Sequence, residues 1–185
     1  MSSHKKAHND LLLCGAGTNA SDQIVARMRE LAAGEIDWEY LFLLARRHSV
    51  VPLVHLQLDQ HASDLIPAEI LATLKKHHLE NAARNTVLTA ELCRLIARLA
   101  DFGIEAIPYK GPVLAQFAYG NLALRRFVDL DVIVRKSDVL QAREVLLNEG
   151  YTPTKSLTLS QQEVLLRTQH NLQFSRDNHR LIVEL

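Results

Sequence analysis

The chain has 185 residues, 48% of them hydrophobic, and its 21 basic residues balance its 21 acidic ones. This length and apolar content predict one folded domain or two small ones with a true core, and exclude a disordered chain. The balanced charge gives no strong signal for nucleic-acid or anionic-membrane binding, so any function based on charge is expected to be local.

The N-terminal residues and the cysteines indicate in which compartment of the cell the protein is found. Cys14 and Cys93 lie far apart without metal-ligand spacing, so neither a disulfide framework nor a zinc site is predicted, and a reducing cytoplasm fits. The apolar run at residues 11–13 is too short for a signal peptide. No run of about 18 apolar residues is present to insert into a membrane. We expect residues 1–20 to be a flexible leader and the protein to be cytoplasmic.

The segment 21–100 keeps the apolar spacing of helices and predicts an all-α bundle. Ser21 or Asp22 is placed to cap one helix, and Asp37 to cap the next. Residues 68–100 contain no Gly or Pro, and their leucines recur at the offsets of a buried stripe. This predicts one long helix or two helices in series.

From residue 101 to residue 185, short apolar runs alternate with helical segments, which predicts mixed α/β structure. The predicted elements are a strand at 104–109, a helix at 112–119, a strand at 128–135, a helix at 137–148, a short helix near 161–167, and a hairpin of strands 171–175 and 180–185. The two halves together predict an α+β fold, with a helical bundle followed by a mixed sheet and its flanking helices.

Two acidic residues fall inside the predicted strand 128–135. Because alternate side chains of a strand share a face, Asp129 and Asp131 point the same way, with Cα atoms roughly 6.5 Å apart. Such a pair of carboxylates suits Mg²⁺, which is bound by oxygen ligands. The alternative is that both carboxylates are solvated at an exposed strand edge. Ile133, next on the same face, predicts that this face becomes buried further along.

The junction before the helix at 112–119 reads Lys110, Gly111, Pro112. Glycine lets a ligand approach the backbone closely, and the free amides of a helix start attract phosphate. Lys110 adds a positive charge for the same phosphate. The alternative is a tight turn at Gly111 with a solvated lysine beside it.

Three more charged residues belong to this region. Arg125 and Arg126 precede the aspartates, and either suits phosphate binding, or else an ion pair with an aspartate. Glu184 stands among apolar residues in the last predicted strand, where a charge requires a partner. The alternative for Glu184 is a residue that protects a sheet edge from aggregation.

Three stretches of the chain form a recognisable combination: "IDWEYLFLLARRHSVVPLV", "PAEILATLKKHHLENAARNTVLTAELCRLIARLADFGIEAIPYKGPVLA" and "LRRFVDLDVIVRKSDVLQAREVLLNEGY". Together they resemble the uncharacterised nucleotidyltransferase family of the polymerase β-like superfamily. The resemblance covers roughly residues 36–185, and the combination of motifs is far more specific than any one of them. It implies a nucleotidyltransferase-like sheet in the second half.

The resemblance also implies roles for particular residues. The implied catalytic and metal-binding acids are Asp129, Asp131 and Glu184, and the implied nucleotide- and phosphate-binding residues are Lys110, Gly111 and Arg125. His170 resembles a histidine of the family, its alternative being a structural hydrogen bonder. The superfamily usually has Gly or Ser after the motif glycine, whereas Pro112 here has no N–H to donate.

The implied activity is transfer of a nucleoside monophosphate from a nucleoside triphosphate to a hydroxyl acceptor, with Mg²⁺ or Mn²⁺ as cofactor. The acceptor, whether a small molecule, a saccharide or a protein, is not readable from the residues. Asp131 or Glu184 is the expected proton acceptor. Two alternatives stay open: a nucleotide-binding or regulatory module without catalysis, and an interaction scaffold built on the helical half. The resemblance also predicts further chain after residue 185, so the α/β core is expected to be incomplete.

Overall fold

The structure is a computed structural model that describes residues 2–155, 172–178 and 180–185. In these ranges the helices are α1 (Ser2–Gly15), α2 (Asp22–Ala32), α3 (Trp38–Arg47), α4 (Val51–Ala62), α5 (Ala68–Asp101), α6 (Gly111–Tyr119) and α7 (Val139–Asn148). The strands are β1 (Ala106–Tyr109), β2 (Leu130–Val134), β3 (Thr152–Pro153), β4 (Gln173–Arg176) and β5 (Leu181–Glu184). Short 3₁₀ turns at Ser63–Leu65 and Lys136–Asp138 complete the described elements. The predicted α+β class is confirmed.

The chain forms two compact units. The first unit comprises Met1–Asn85 and Ala118–Arg126, and the second comprises Thr86–Phe117 and Phe127–Leu185. The sequence predicts a change of structure near residue 100, where the apolar pattern changes. In the structure α5 is one continuous helix that contributes residues to both units.

The helices of the first unit begin where their capping residues predict. The Ser21 side chain accepts a hydrogen bond from the Ile24 amide at the start of α2, and Asp37 accepts one from the Tyr40 amide at 2.9 Å at the start of α3. The helices then bury one face each in a common core. Its members include Met28, Leu41, Ala45, Val54, Leu58 and Leu74.

Residues 2–15 differ from the expected flexible leader, because they form α1. Leu11 and Leu12 are 1% and 8% exposed and belong to the core of the first unit. His8 is also buried, and its Nε2 accepts a hydrogen bond from the Asp37 amide at 2.9 Å. The apolar run that is too short for a signal peptide is long enough to anchor a helix in this core.

The sheet of the second unit has the order β1-β2-β5-β4-β3 in the described residues. β2 and β5 are parallel, and the other neighbours are antiparallel. Pro108 lies in β1, at the edge of the described sheet, where strands tolerate proline. The predicted hairpin is confirmed as β4 and β5, with Asp177 and Asn178 at positive φ in the connecting turn.

The two faces of this sheet differ in character. Leu130, Val183 and Phe174 are register partners across β2, β5 and β4, and all three are buried. The opposite face carries Ile133, which was predicted to be buried. That prediction is wrong: Ile133 is 51% exposed, and its partner Ile107 on β1 is 57% exposed, so this end of the face is open to solvent.

An ionic network ties elements of the second unit together. Glu91, on α5 and only 8% exposed, accepts hydrogen bonds from Arg94 at 2.8 Å and from the Tyr151 hydroxyl at 2.7 Å. It also ion-pairs with Arg176 of β4 at 3.0 Å. Arg94 contacts Glu149, at the end of α7, as well. The charges are mutually satisfied, which is the condition for burying them without a large penalty.

None of the described helices combines the length and the apolar content that crossing a membrane requires. The predicted short helix at 161–167, His170 and the first residue of the predicted strand 171–175 lie outside the described residues.

Candidate functional site

The start of β2 and the end of β5 carry the acidic residues of the candidate site. In the parallel pairing of these strands, Asp131 is the register partner of Glu184. Register partners project to the same face of a sheet, so both carboxylates lie on the face opposite the buried one. Asp129 lies just before the first residue of β2 and is half-buried. The strand pairing therefore brings together Asp131 and Glu184, which are far apart in the sequence.

Lys110 contacts Asp131 of this pair directly. Its Nζ lies 3.4 Å from Asp131 Oδ1 and 5.3 Å from the centre of the Tyr109 ring. The side chain of Asp131 is 14% exposed, whereas that of Lys110 is 53% exposed. The contact follows from the strand pairing, because Tyr109 is the register partner of Asp131 and Lys110 comes next in the chain. The ion pair therefore holds an ammonium group at the carboxylates.

The chain turns sharply from β1 into α6 at Lys110 and Gly111, whose φ angles are 55° and 38°. Positive φ strains a residue that has a Cβ, so Gly111 adopts its angle without strain whereas Lys110 does not. A Cβ added to Gly111 would lie 3.5 Å from the carbonyl oxygen of Asp129, so the turn runs beside the Asp129 backbone. Helix α6 begins here, with the Lys110 carbonyl accepting from the Leu114 amide at 2.9 Å.

The electrostatics at Asp131 reflect the crowding of acids. Partial burial raises the pKa of Asp131, and the charges of Asp129 and Glu184 raise it further, whereas Lys110 opposes them. The charges of the other two predicted acids are therefore both felt at Asp131. A divalent cation relieves this kind of repulsion, and carboxylate oxygens are the ligand type that Mg²⁺ and Mn²⁺ prefer.

Within residues 2–155, 172–178 and 180–185, no group of three or more His, Cys, Asp and Glu side chains is arranged to hold a metal ion. In place of a metal ion, the ammonium group of Lys110 supplies the positive charge beside Asp131. The donor chemistry of Asp129, Asp131 and Glu184 fits a hard divalent cation, and their role as its ligands stays a prediction.

Gln173 is a member of this site that the sequence pattern does not single out. It is the register partner of Glu184 on β4, and its Nε2 donates to Glu184 Oε1 at 3.0 Å. The polar row therefore runs across four strands, from Tyr109 through Asp131 and Glu184 to Gln173. Gln173 could have been found from the hairpin: once its turn is located in the sequence, the pairing of the two strands places Gln173 opposite Glu184.

Arg125 lies in the first unit, in the segment that follows α6. Its carbonyl oxygen accepts a hydrogen bond from the side chain of Asn85 at 2.7 Å. The backbone of this segment is thus tied to α5. The predicted contact of the Arg125 guanidinium with phosphate stays a prediction.

Comparison with known proteins identifies a family. No curated protein and no solved structure matches the chain. The family model described as an uncharacterised nucleotidyltransferase matches residues 34–185, which is most of the chain and includes every residue of the candidate site. With the acidic pair on β2 and β5 and the lysine–glycine turn beside it, the chain belongs to the uncharacterised nucleotidyltransferase family.

Proposed function

We propose that this protein is a nucleotidyltransferase dependent on Mg²⁺ or Mn²⁺, which moves a nucleoside monophosphate from a nucleoside triphosphate to a hydroxyl group of an acceptor. The observation that carries the proposal is the register pairing of Asp131 with Glu184, with Asp129 one residue before β2. The family match over residues 34–185 supports nucleotidyl transfer in general.

The bond changes are those of a substitution at phosphorus. An oxygen of the acceptor forms a bond to the α-phosphorus, the bond from the α-phosphorus to the bridging oxygen breaks, and pyrophosphate leaves. The hydroxyl proton passes to Asp131 or Glu184. Asp129, Asp131 and Glu184 would hold a divalent cation, which would neutralise charge on the phosphates and lower the pKa of the acceptor hydroxyl.

The other residues of the site bind and orient the triphosphate. Lys110 supplies an ammonium group at the edge of the acidic pair, where phosphate oxygens compete with Asp131 for it. The first turn of α6, entered through Gly111, offers the partial positive charge of a helix start. Pro112 removes one donor from this turn, so Lys110 carries more of the phosphate binding.

A second candidate function is a nucleotide-binding or regulatory module without catalysis. It is favoured by the ion pair of Lys110 with Asp131, which neutralises one acid internally, and by the missing N–H at Pro112. The two candidates agree on nucleotide binding and differ only in whether pyrophosphate is released.

Thermal unfolding tests the proposal. The midpoint is measured with and without Mg²⁺ and each of the four nucleoside triphosphates, for the wild type, for Asp129→Asn/Asp131→Asn and for the control Asp138→Asn. A ligand at about a hundred times its Kd stabilises the folded state by about 2.7 kcal/mol. We expect the midpoint to rise in the wild type and in the control, and not in the double variant. No shift with any nucleotide at millimolar concentration would remove both candidates.

A further inference from the structure

The first unit contains a pocket of about 330 Å³ that shares no lining residue with the candidate site. It lies between the end of α3, the start of α4, the middle of α5 and the end of the segment that follows α6. Three arginines line it, Arg46, Arg84 and Arg126, and we call it the arginine pocket. Its volume is at the lower end of the range of sites for small organic ligands.

The positive charge of the arginine pocket is not compensated within the part of the chain that the structure describes. There, no Asp or Glu side chain forms an ion pair with Arg46, Arg84 or Arg126. The acid that lines the pocket, Glu80, contacts Lys76 at 4.0 Å and His77 at 3.6 Å instead. Three arginines therefore line one cavity, and the acid of that cavity contacts Lys76 and the lining residue His77 rather than an arginine.

Two of these arginines act on each other. Partial burial lowers the pKa of the Arg84 guanidinium, and the positive charge of Arg126 lowers it further. Arg84 makes a weak polar contact with Asn81 Oδ1, at 3.5 Å. Like charges held together in this way weaken the folded protein unless an anion lies between them.

The backbone that carries Arg126 is held in place from α5. Asn85 is fully buried, and its Nδ2 donates to the carbonyl oxygens of Leu122 at 2.6 Å and Arg125 at 2.7 Å. The residue before Arg126 is thus fixed to the same helix that carries Arg84. The backbone at this position is held before any ligand arrives, which lowers the entropic cost of binding.

We propose that the arginine pocket binds a small organic molecule that carries a phosphate group. Guanidinium groups match the geometry of phosphate oxygens and bind them through paired hydrogen bonds. Val51 and Pro52, at the start of α4, give the rest of the ligand an apolar wall. A pocket with charge on one side and apolar surface on the other fits an organic phosphate better than a free inorganic ion.

Isothermal titration calorimetry tests this assignment with four probes: inorganic phosphate, pyrophosphate, AMP and glucose 6-phosphate. The titrations are made in EDTA and in the Asp129→Asn/Asp131→Asn background, so that the result is independent of the proposed catalytic site. The variants are Arg84→Gln/Arg126→Gln and, as a matched control, Arg47→Gln, because Arg47 ends α3 and does not line the pocket.

We expect AMP or glucose 6-phosphate to bind more tightly than inorganic phosphate. Which of the two binds shows whether the ligand is a nucleotide or a sugar phosphate. The double arginine variant is expected to lose at least tenfold in affinity, and Arg47→Gln to lose less than twofold. Without ligand, the double variant is expected to unfold at an equal or higher temperature, because a repulsion is removed.

Absence of binding by every probe at 10 mM would overturn the proposal. So would equal losses in the double variant and in Arg47→Gln, since these would indicate attraction to the overall charge. Binding of a single-stranded RNA oligonucleotide without binding of the small phosphates would assign the surface to a different class of ligand and would also contradict the proposal.

Discussion

Lys110 Nζ lies 3.4 Å from Asp131 Oδ1, so an ammonium group stands where a divalent cation is expected to bind. The ammonium group of Lys110 and a divalent cation would compete for the same carboxylate of Asp131. This competition makes the role of Lys110 testable.

Replacing Lys110 with methionine is expected to have opposite effects on the two ligands of the site. Mn²⁺ is expected to bind roughly three- to tenfold more tightly without nucleotide, because Asp131 loses a competing cation, a change of about 1 kcal/mol. The nucleoside triphosphate is expected to bind less tightly, because a phosphate partner is lost. Both affinities are measured by calorimetry, with Lys136→Met as control. Weaker binding of both ligands would show that Lys110 only supports the fold.

Gln173 is expected to orient Glu184 through its 3.0 Å hydrogen bond. In Gln173→Ala, cation affinity is expected to fall roughly tenfold, as when a residue that holds a metal ligand is removed. The free energy of unfolding is expected to change by less than about 0.5 kcal/mol, since Gln173 is exposed. Mn²⁺ titration and urea unfolding measure the two quantities. An unchanged cation affinity would separate Gln173 from the site.

The network around Glu91 is expected to matter for stability in acid. Although burial by itself raises the pKa of Glu91, hydrogen bonds from Arg94 and Tyr151 and the charge of Arg176 hold it below its ordinary value of 4.5. A lowered pKa stabilises the fold above about pH 4.5, and this contribution is lost as the pH falls through the lowered value. Glu91→Gln is expected to cost about 2 kcal/mol at pH 7, and less at pH 3. Urea unfolding at both pH values measures this. An equal cost at the two pH values would contradict the assignment.

His55 is expected to give the first unit a second pH dependence. Burial lowers the pKa of His55 from 6.5, and the charges of His78 and Lys75 lower it further, whereas Asp59 opposes them. Below about pH 6.5 the unfolded chain takes up the proton before the folded chain does, so stability falls as the pH is lowered. His55→Leu is expected to flatten this slope between pH 7 and 5, and the exposed His48→Gln to leave it unchanged. If the stability of His55→Leu depended on pH as steeply as that of the wild type, another group would be the cause of the slope.

Local signals predicted much of the fold. The caps Ser21 and Asp37 depend on side chains that bond amides within three residues, so they are readable from the sequence. The hairpin of β4 and β5 is readable for the same reason, since its turn holds Asp177 and Asn178. Strand β3 was not predicted, because two residues are too few for a periodicity and one of them is Pro153.

The remaining differences depend on contacts between distant parts of the chain. Helix α1 is fixed by the burial of Leu11 against other helices, which a short apolar run does not reveal. The exposure of Ile133 depends on which face of the sheet is covered, and alternation cannot identify that face. The Lys110–Asp131 pair follows from the register of β1 with β2. The residues of the candidate site are therefore readable from the sequence, whereas their partners depend on the strand pairing.

The central claim is that Asp131 and Glu184 bind one divalent cation together with a nucleoside triphosphate. Electron paramagnetic resonance of Mn²⁺, titrated with protein and a non-hydrolysable triphosphate, measures this directly in the wild type, in Asp131→Asn, in Glu184→Gln and in the control Asp138→Asn. The account predicts that wild type and control bind Mn²⁺ and that each of the other variants loses at least tenfold in affinity. Equal Mn²⁺ affinity in all four proteins would contradict it.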